Sequence, residues 1–334
     1  MAKAKHKRKR KRKNRVPLLL IIAFLLVGVS YAAIHVLFAE PKIKTEPLPK
    51  PVVGTLNNDG TSHSEPQTDT QDTHTERKES FYTILLSGVD DGNGGSDTNI
   101  LLAVDAKNDS IYGVSIPRDT KAIVNGRACK INAAYNIGGM ELMAEVVSNQ
   151  LGIPVDYTIL VDLKGFKQLV DAIGGVQFYV PVNMYYDDPV QNLSIHFSKG
   201  MQHLTGAEAL KVVRFRHNND GTGYGNEDIG RMQTQQNFLK AVAKQTLTLS
   251  NLNKVDNFVK IFQQNVETDL TLGNLAWLGK EVIGMGVDAL EFSTLPGNWK
   301  SPYIYLDKDE TLTLVNTYLN PYVEDRTAKD LNIP

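Results

Sequence analysis

A single cysteine, Cys129, stands in a chain of 334 residues. No intramolecular disulfide can form and no metal centre can be built on that thiol alone, so a domain of this size is held by its own apolar core. Between Ala128 and Lys130 the thiol reads as a packed small hydrophobe. Acid is missing from the start of the chain: residues 1–15 carry ten Lys/Arg, and the first acidic residue is Glu40. Residues 16–39 hold no Asp, Glu, Lys or Arg, and residues 40–80 hold no Phe, Tyr or Trp. Neither a Gly-x-Ser-x-Gly elbow nor a His-Glu-x-x-His pair occurs. His196, His203 and His217 lie at no metal-ligand spacing, which disfavours triad hydrolases and zinc enzymes.

These gaps divide the chain. At ~1.5 Å per residue the uncharged run 16–39 is long enough for a ~30 Å hydrocarbon core and reads as one transmembrane helix. The basic segment before it places residues 1–15 in the cytoplasm and the remainder outside a cell membrane crossed once. A cleaved signal peptide is the competing reading, but the run is longer than a typical signal core, which favours a retained anchor. Residues 40–80, rich in Pro, Thr, Ser, Asp and Glu, read as an extracellular linker without a core. As a flexible coil it would span roughly 35 Å end to end. Beyond residue 39 there are 26 Lys/Arg against 37 Asp/Glu, an acidic body that argues against nucleic acid as a partner.

The folded part is expected over 81–325, with 326–334 a C-terminal tail. Apolar, β-branched runs predict strands at Phe81–Ser87, Asn99–Asp105, Ile111–Ile116, Tyr157–Val161, Val176–Val180 and Ala289–Thr294. Helical spacing predicts helices at Met140–Leu151, Leu163–Ala172, Gly206–Val213, Ile229–Leu249, Asn253–Phe262, Leu272–Met285 and Thr311–Tyr318. Gly138-Gly139 marks the start of the first helix. Strands alternating with helices argue for a single α/β domain.

Three groups of residues carry candidate chemistry. In Ser115-Ile116-Pro117-Arg118-Asp119-Thr120, Pro117 stops a strand and sets Arg118 and Asp119 at its carboxyl end, where open α/β sheets hold ligands. These six residues alone fit an ordinary charged turn equally well. Asp90 and Asp97 bracket a Gly-rich turn. The twelfth position of a calcium loop counted from Asp90 or Asp91 is Leu, which excludes an EF-hand. Two carboxylates fit Mg²⁺ bridging to phosphate, and a solvated acidic turn stays open beside that reading. Arg214, Arg216 and Arg231, with Gln235 one turn on, stand beside helix ends, where guanidinium groups clamp phosphate. The polar, Gly-rich segment 218–228 between them follows no strand and reads as a lid.

The ordered set Gly88-Val89-Asp90, Ser96-Asp97-Thr98, Ser115 to Thr120, Lys130 to Tyr135 (Lys-Ile-Asn-Ala-Ala-Tyr), Gly174-Gly175-Val176, Gly200 to Leu204, Arg214-Phe215-Arg216 and Asp228 to Arg231 resembles the LytR-CpsA-Psr family. The resemblance implies an α/β domain whose central mixed sheet is flanked by helices around an apolar lipid cavity. It also implies a phosphotransferase that moves wall teichoic acid, capsule or a similar anionic glycopolymer from polyprenyl pyrophosphate to peptidoglycan, with Mg²⁺ or Mn²⁺ as cofactor. Asp90 and Asp97 would hold the metal, and Arg118, Arg214, Arg216, Arg231 and Gln235 would hold the pyrophosphate. Arg118 with Asp97 or Asp119 would be catalytic, either carboxylate serving as base. Two positions depart from the family pattern: Gly95 and Thr234 stand where arginine is common. Those departures keep a non-catalytic polyprenyl-phosphate binder or a regulatory, attenuator-like membrane protein in view as alternatives.

Overall fold

A computed structural model describes residues 39–43, 76–89, 95–190, 192–225, 227–246, 262–286 and 289–334. The basic head, the expected span up to residue 38, most of the expected linker, Asp90, and the helix expected over Asn253–Phe262 up to its last residue lie outside them. Among the described residues no helix is long and apolar enough to cross a membrane.

The first strand, β1 (Phe81–Val89), sends Phe81, Thr83, Leu85 and Ser87 to one face and Tyr82, Ile84 and Leu86 to the other, and both faces are largely buried. A strand covered on both sides belongs to the middle of a layered α/β sheet. It pairs antiparallel with β2 (Ser96–Asp105), which pairs antiparallel with β3 (Ser110–Ser115). Seven strands and two helices follow: β4 (Lys121–Val124), β5 (Arg127–Lys130), α1 (Ala133–Leu151), β6 (Tyr157–Asp162), α2 (Leu163–Ala172), β7 (Val176–Val180), β8 (Met184–Asp188), β9 (Leu193–Phe197) and β10 (Gly200–Leu204). They lead into α3 (Gly206–Arg214) and α4 (Glu227–Thr246). The chain ends with β11 (Val266–Thr268), α5 (Leu272–Met285), β12 (Leu290–Thr294), β13 (Gly297–Lys300), β14 (Tyr303–Leu306), α6 (Lys308–Leu314) and a π turn at Val315–Leu319.

The central sheet has six strands in the order β11-β6-β1-β2-β3-β12, with β1/β6 and β3/β12 parallel and the other pairs antiparallel. It is the mixed sheet expected. Leu85, Leu101 and Val114 form a cross-strand row on one face, covered by Met143, Val146, Val147 and Leu151 of α1. Truncating such a side chain to Ala costs about 2–5 kcal/mol. Tyr82, Ile84, Val104 and Ile111 on the other face meet Leu278 of α5. Helices α2, α3 and α4 build a third cluster with β7 to β10, through Val170, Val212 and Phe238. Between that cluster and the sheet lies the space described below.

Local signals explain several boundaries. Gly138 and Gly139 have non-helical backbone, so α1 is a short helical turn followed by a main helix from residue 140, as the glycine pair predicts. A reciprocal cap holds the start of α3: the Thr205 N–H donates to Glu208 Oε2 at 2.9 Å, and the Glu208 N–H donates to Thr205 Oγ1. The C-terminal helix starts at Lys308, three residues before the expected Thr311, and its ladder loosens into the π turn after Leu314, so helical backbone covers all of the expected Thr311–Tyr318.

The folded unit exceeds the expected bounds at both ends. Residues 40–43 and 76–80, assigned to the linker, pack on the domain, as does Ala39, the last residue of the expected span. The Arg77 guanidinium grips the fully buried Asp156 carboxylate at 2.8 and 3.1 Å, and Tyr82 OH donates to Glu40 at 2.7 Å. The expected tail is also packed: Leu331 and Arg326 are buried, and the Asn332 N–H donates to Asn149 O at the end of α1. Composition missed both because these segments are polar overall and only a few of their side chains are buried.

Candidate active site

The loop after β3 is fixed on both sides. Ile116 N–H donates to Asn99 O at 2.8 Å, Thr120 N–H closes the turn onto Pro117 O, and Ile131 N–H donates to Thr120 O at 2.7 Å. With its backbone committed, the loop turns its two charged side chains apart. Arg118 Nη1 donates to Asp97 Oδ1 at 2.8 Å, across to the first residues of β2. Asp119 is only 6% exposed and takes Lys130 Nζ at 2.7 Å on one oxygen, the other lying 3.8 Å from Arg118 Nε.

Beside this loop, at the carboxyl ends of β1 and β6, a cavity of about 560 Å³ opens between the sheet and helices α2, α3 and α4. Leu86 and Ile100 form its floor. Phe166 and Val170 of α2, Val213 of α3, and Phe238 and Val242 of α4 form its walls. Its rim is polar: Asp97, Arg214, Arg216, His217, Arg231 and Gln235. A small recess next to it is lined by Pro117, Arg118, Asp97, Arg231 and Gln235, so the loop and the rim form one mouth. An apolar cavity with a few convergent polar groups is the usual form of a small-molecule site.

Helix ends put the cations there. Arg214 closes α3, whose last turn also carries Lys211. Arg231, 6% exposed, is in the first turns of α4. Gln235 is held by its Nε2 donating to Val213 O at 3.1 Å, which ties α4 to the end of α3. The register between β1 and β2 shifts at Gly88/Val89, a bulge just before the Gly-rich turn, and bulges often re-aim side chains beside active sites.

Of the residues singled out from sequence, Asp97, Arg118, Arg214, Arg216, Arg231 and Gln235 come together at this mouth. Asp119 sits behind Arg118 against Lys130 and lines neither space. Asp90 is outside the described residues. The Asp97 side chain is 41% exposed, and one of its oxygens accepts from Arg118. Among the described residues no cluster of three or more His, Cys, Asp or Glu could hold a metal. A cation at Asp97 would therefore complete its shell with water and phosphate oxygens, which is how Mg²⁺ is usually held, and the donor set fits that ion.

Several contributors carry no sequence signal. His217 Nδ1 lies 2.9 Å from Asn218 O, within hydrogen-bond distance, and the ring packs edge-on against Tyr186 at 5.7 Å. Gln236, next to Gln235 but turned to the sheet, donates to Ser115 Oγ at 2.8 Å and Ser293 O at 2.9 Å. Tyr224 packs on Phe215 at 5.4 Å, and burial pushes its hydroxyl pKa up to about 12. It stays neutral at any working pH. An alternating Gln-Gln pair on a helix gives no sign of which side chain faces the ligand.

Polyisoprenyl-teichoic acid–peptidoglycan teichoic acid transferase TagU of Bacillus cereus is 40% identical over 194 residues, which take in 57% of this chain and 60% of that protein. TagV of Bacillus subtilis, of the same description, is 35% identical over 205 residues, 58% of this chain and 51% of TagV. The chain thus spans a half to three-fifths of the length of the curated relatives it matches. The crystal structure of B. subtilis TagV superposes with a TM-score of 0.61 at 30% identity, covering 71% of this chain and 95% of that one. The sequence profile of the LytR_cpsA_psr family matches residues 52–320, which include the sheet, the cavity and every mouth residue named above, and the chain belongs to that family.

Proposed function

We propose that this protein is a membrane-anchored phosphotransferase that moves an anionic glycopolymer, such as a teichoic acid, from polyprenyl pyrophosphate onto peptidoglycan. The observation that carries the reading is the joining of an apolar cavity of about 560 Å³ to a mouth holding Arg118, Arg214, Arg216, Arg231, Gln235 and Asp97. A polyprenyl chain suits the cavity and its pyrophosphate suits the mouth. The teichoic acid transferases named above, at 35–40% identity, support the same class of substrate. Within the family's range of donors, the anionic polymer is the one those names favour.

The residues divide the work. Arg214, Arg216 and Arg231 would clamp the pyrophosphate oxygens, and Gln235 would donate beside them. Arg118, held in place by Asp97 and Asp119, would stabilise charge on the phosphorus that is attacked. Asp97, with Asp90 beyond the described residues, would hold Mg²⁺ or Mn²⁺. When bound, that ion supplies charge neutralisation for the pyrophosphate. The peptidoglycan hydroxyl forms a new P–O bond to the phosphorus nearer the glycan, the bridging P–O bond breaks, and polyprenyl phosphate leaves. The hydroxyl proton passes to a carboxylate, and of Asp97 and Asp119 only Asp97 lines the mouth. Positioning and electrostatic stabilisation carry most of such catalysis. Basic residues 1–15 and the uncharged run 16–39 support a single span with the domain outside the cell.

The test is Arg118→Ala, assayed with a purified lipid-linked donor, peptidoglycan and Mg²⁺. Transfer is expected to fall by about 10²-fold or more while donor binding falls less. Full transfer by the variant would overturn the mechanism.

A further inference from the structure

On the side of Arg118 away from the cavity, β4, β5, β13 and β14 form one small surface. β4 and β5 pair with Lys121 directly opposite Lys130, and β13 and β14 pair with Lys300 opposite Tyr303. The two hairpins are joined edge to edge: Thr120 bridges to Ile304 in the parallel sense, and Ile304 N–H donates to Asp119 O at 2.8 Å. Because opposed residues share a face, Lys121, Lys130, Lys300, Tyr303 and Tyr305 stand together, and contacts bear this out. Lys121 Nζ lies 5.1 Å from the Tyr305 ring, and Tyr303 OH donates to Ala128 O at 3.4 Å.

Three features of this face point to a ligand. None of the four strands contains Asp or Glu, in a chain whose body is acidic. Lys121 and Lys130 stand directly across a ladder, where like charges repel; Asp119 offsets Lys130 at 2.7 Å, while Lys121 has the Tyr305 ring beside it and no carboxylate on its own face of the four strands. The tyrosines present flat apolar bodies with polar tips, a surface that suits polyol and sugar chains. The face adjoins the loop that carries Arg118, because Lys130 Nζ holds Asp119 at 2.7 Å and Asp119 lies 3.8 Å from Arg118 Nε.

We infer that this face is a subsite for the polyanionic glycan chain of the donor, which runs out from the mouth over Lys130, Lys121, Tyr305 and Lys300 while the pyrophosphate is held at Arg118. The inference rests on the transferase reading for its choice of ligand. The donor polymer is joined covalently to the phosphorus at the mouth, so its first repeats must leave within reach of this surface. A neutral glycan has no use for Lys121 and Lys300, the two lysines of this face that no carboxylate of its four strands offsets.

The experiment uses the full chain in detergent and two donors. One carries only a neutral disaccharide on polyprenyl pyrophosphate; the other carries the same disaccharide extended by phosphodiester-linked polyol repeats. With Lys121→Glu/Lys300→Glu, KM for the extended donor is expected to rise about tenfold or more, with KM for the disaccharide donor within about twofold of the parent. The parent's KM for the extended donor should rise between about 50 mM and about 300 mM salt, and the disaccharide donor's should not. An equal change for both donors, or none for either, overturns the inference. The milder Lys121→Gln/Lys300→Gln pair gives the same reading if the charge reversal impairs folding. If the parent transfers neither donor, the transferase reading fails, and binding of a labelled, lipid-free polyol-phosphate polymer decides the subsite separately. Binding that the lysine variants abolish sustains it. Equal binding of a neutral amino-sugar oligomer, or of single-stranded DNA of matched charge, overturns it.

Discussion

Thr234 stands one place before Gln235, where the family pattern leads one to expect arginine, and its surroundings explain the difference. The side chain is 1% exposed, its Oγ1 2.8 Å from the Tyr224 hydroxyl and 2.9 Å from Gly230 O, to which it donates. Tyr224 thus closes the slot from the Gly-rich segment, and no cation there could reach the mouth without displacing it. Gly95 is closed to arginine for another reason. Its φ is +78°, and a Cβ would meet Asn132 O at 2.7 Å. Both positions are thus closed to arginine by their local geometry. Thr234→Arg is expected to cost about 3 kcal/mol or more in urea unfolding, because it buries an ionised group without a partner, and to leave donor KM no better. Unchanged stability with a lower KM would show that the slot opens to the pyrophosphate.

Helix α4 carries both halves of the site, the polar rim through Arg231 and Gln235 and the apolar wall through Phe238 and Val242. Gln236 fastens it to the sheet by donating to Ser115 Oγ and Ser293 O, at the ends of β3 and β12. Replacing Gln236 by Leu leaves those acceptors without their donor inside the protein, which costs about 1–3 kcal/mol. The expected result is a lower thermal midpoint together with a rise in donor KM, since the wall and the rim loosen as one piece. A fall in stability with KM unchanged would mean that α4 is held well enough by its apolar contacts. The sequence announces α4 but not this anchor. Elements with long apolar periodicity, such as β1, β2, β3, α2 and α5, are legible because burial on a regular face leaves a regular pattern. The hairpins β4/β5, β8/β9 and β13/β14 are not, because strands of four or five residues with one solvated face leave too short a pattern. The same limit separates Arg118 from Asp119. Both are charged and adjacent, and only the packed loop shows that one faces the mouth and the other Lys130.

Across the whole molecule, the segment just after the uncharged run is part of the domain. Asn274 Nδ2 donates to Ala39 O at 2.9 Å, Ser80 Oγ and Tyr82 OH both donate to Glu40 Oε1, and Tyr157 OH donates to Lys42 O at 2.7 Å. Pro41 is buried, and Ile43 packs with Tyr82, Trp277 and Leu278 on the face of the sheet that also floors the cavity. Under the single-span reading, the chain joins the domain at residues 39–43, directly beyond the membrane. The domain is then held at the membrane surface in one orientation, whereas a forty-residue coil would let it stand off by roughly 35 Å. Under the transferase reading, a lipid-linked donor would gain from that arrangement, because a cavity at fixed height would meet a prenyl chain anchored in the same bilayer. The docking is testable in the full chain. Ile43→Asp places a charge against Tyr82 and α5 and should cost about 1–2 kcal/mol, which lowers the thermal midpoint by about 3–6 °C for a domain of this size. Hydrogen exchange should quicken at the amides of α5 and the start of β1, and not in α1 on the opposite face. An unchanged midpoint with unchanged exchange in α5 would show that residues 39–43 contribute nothing to the fold, and the fixed orientation would fall with them.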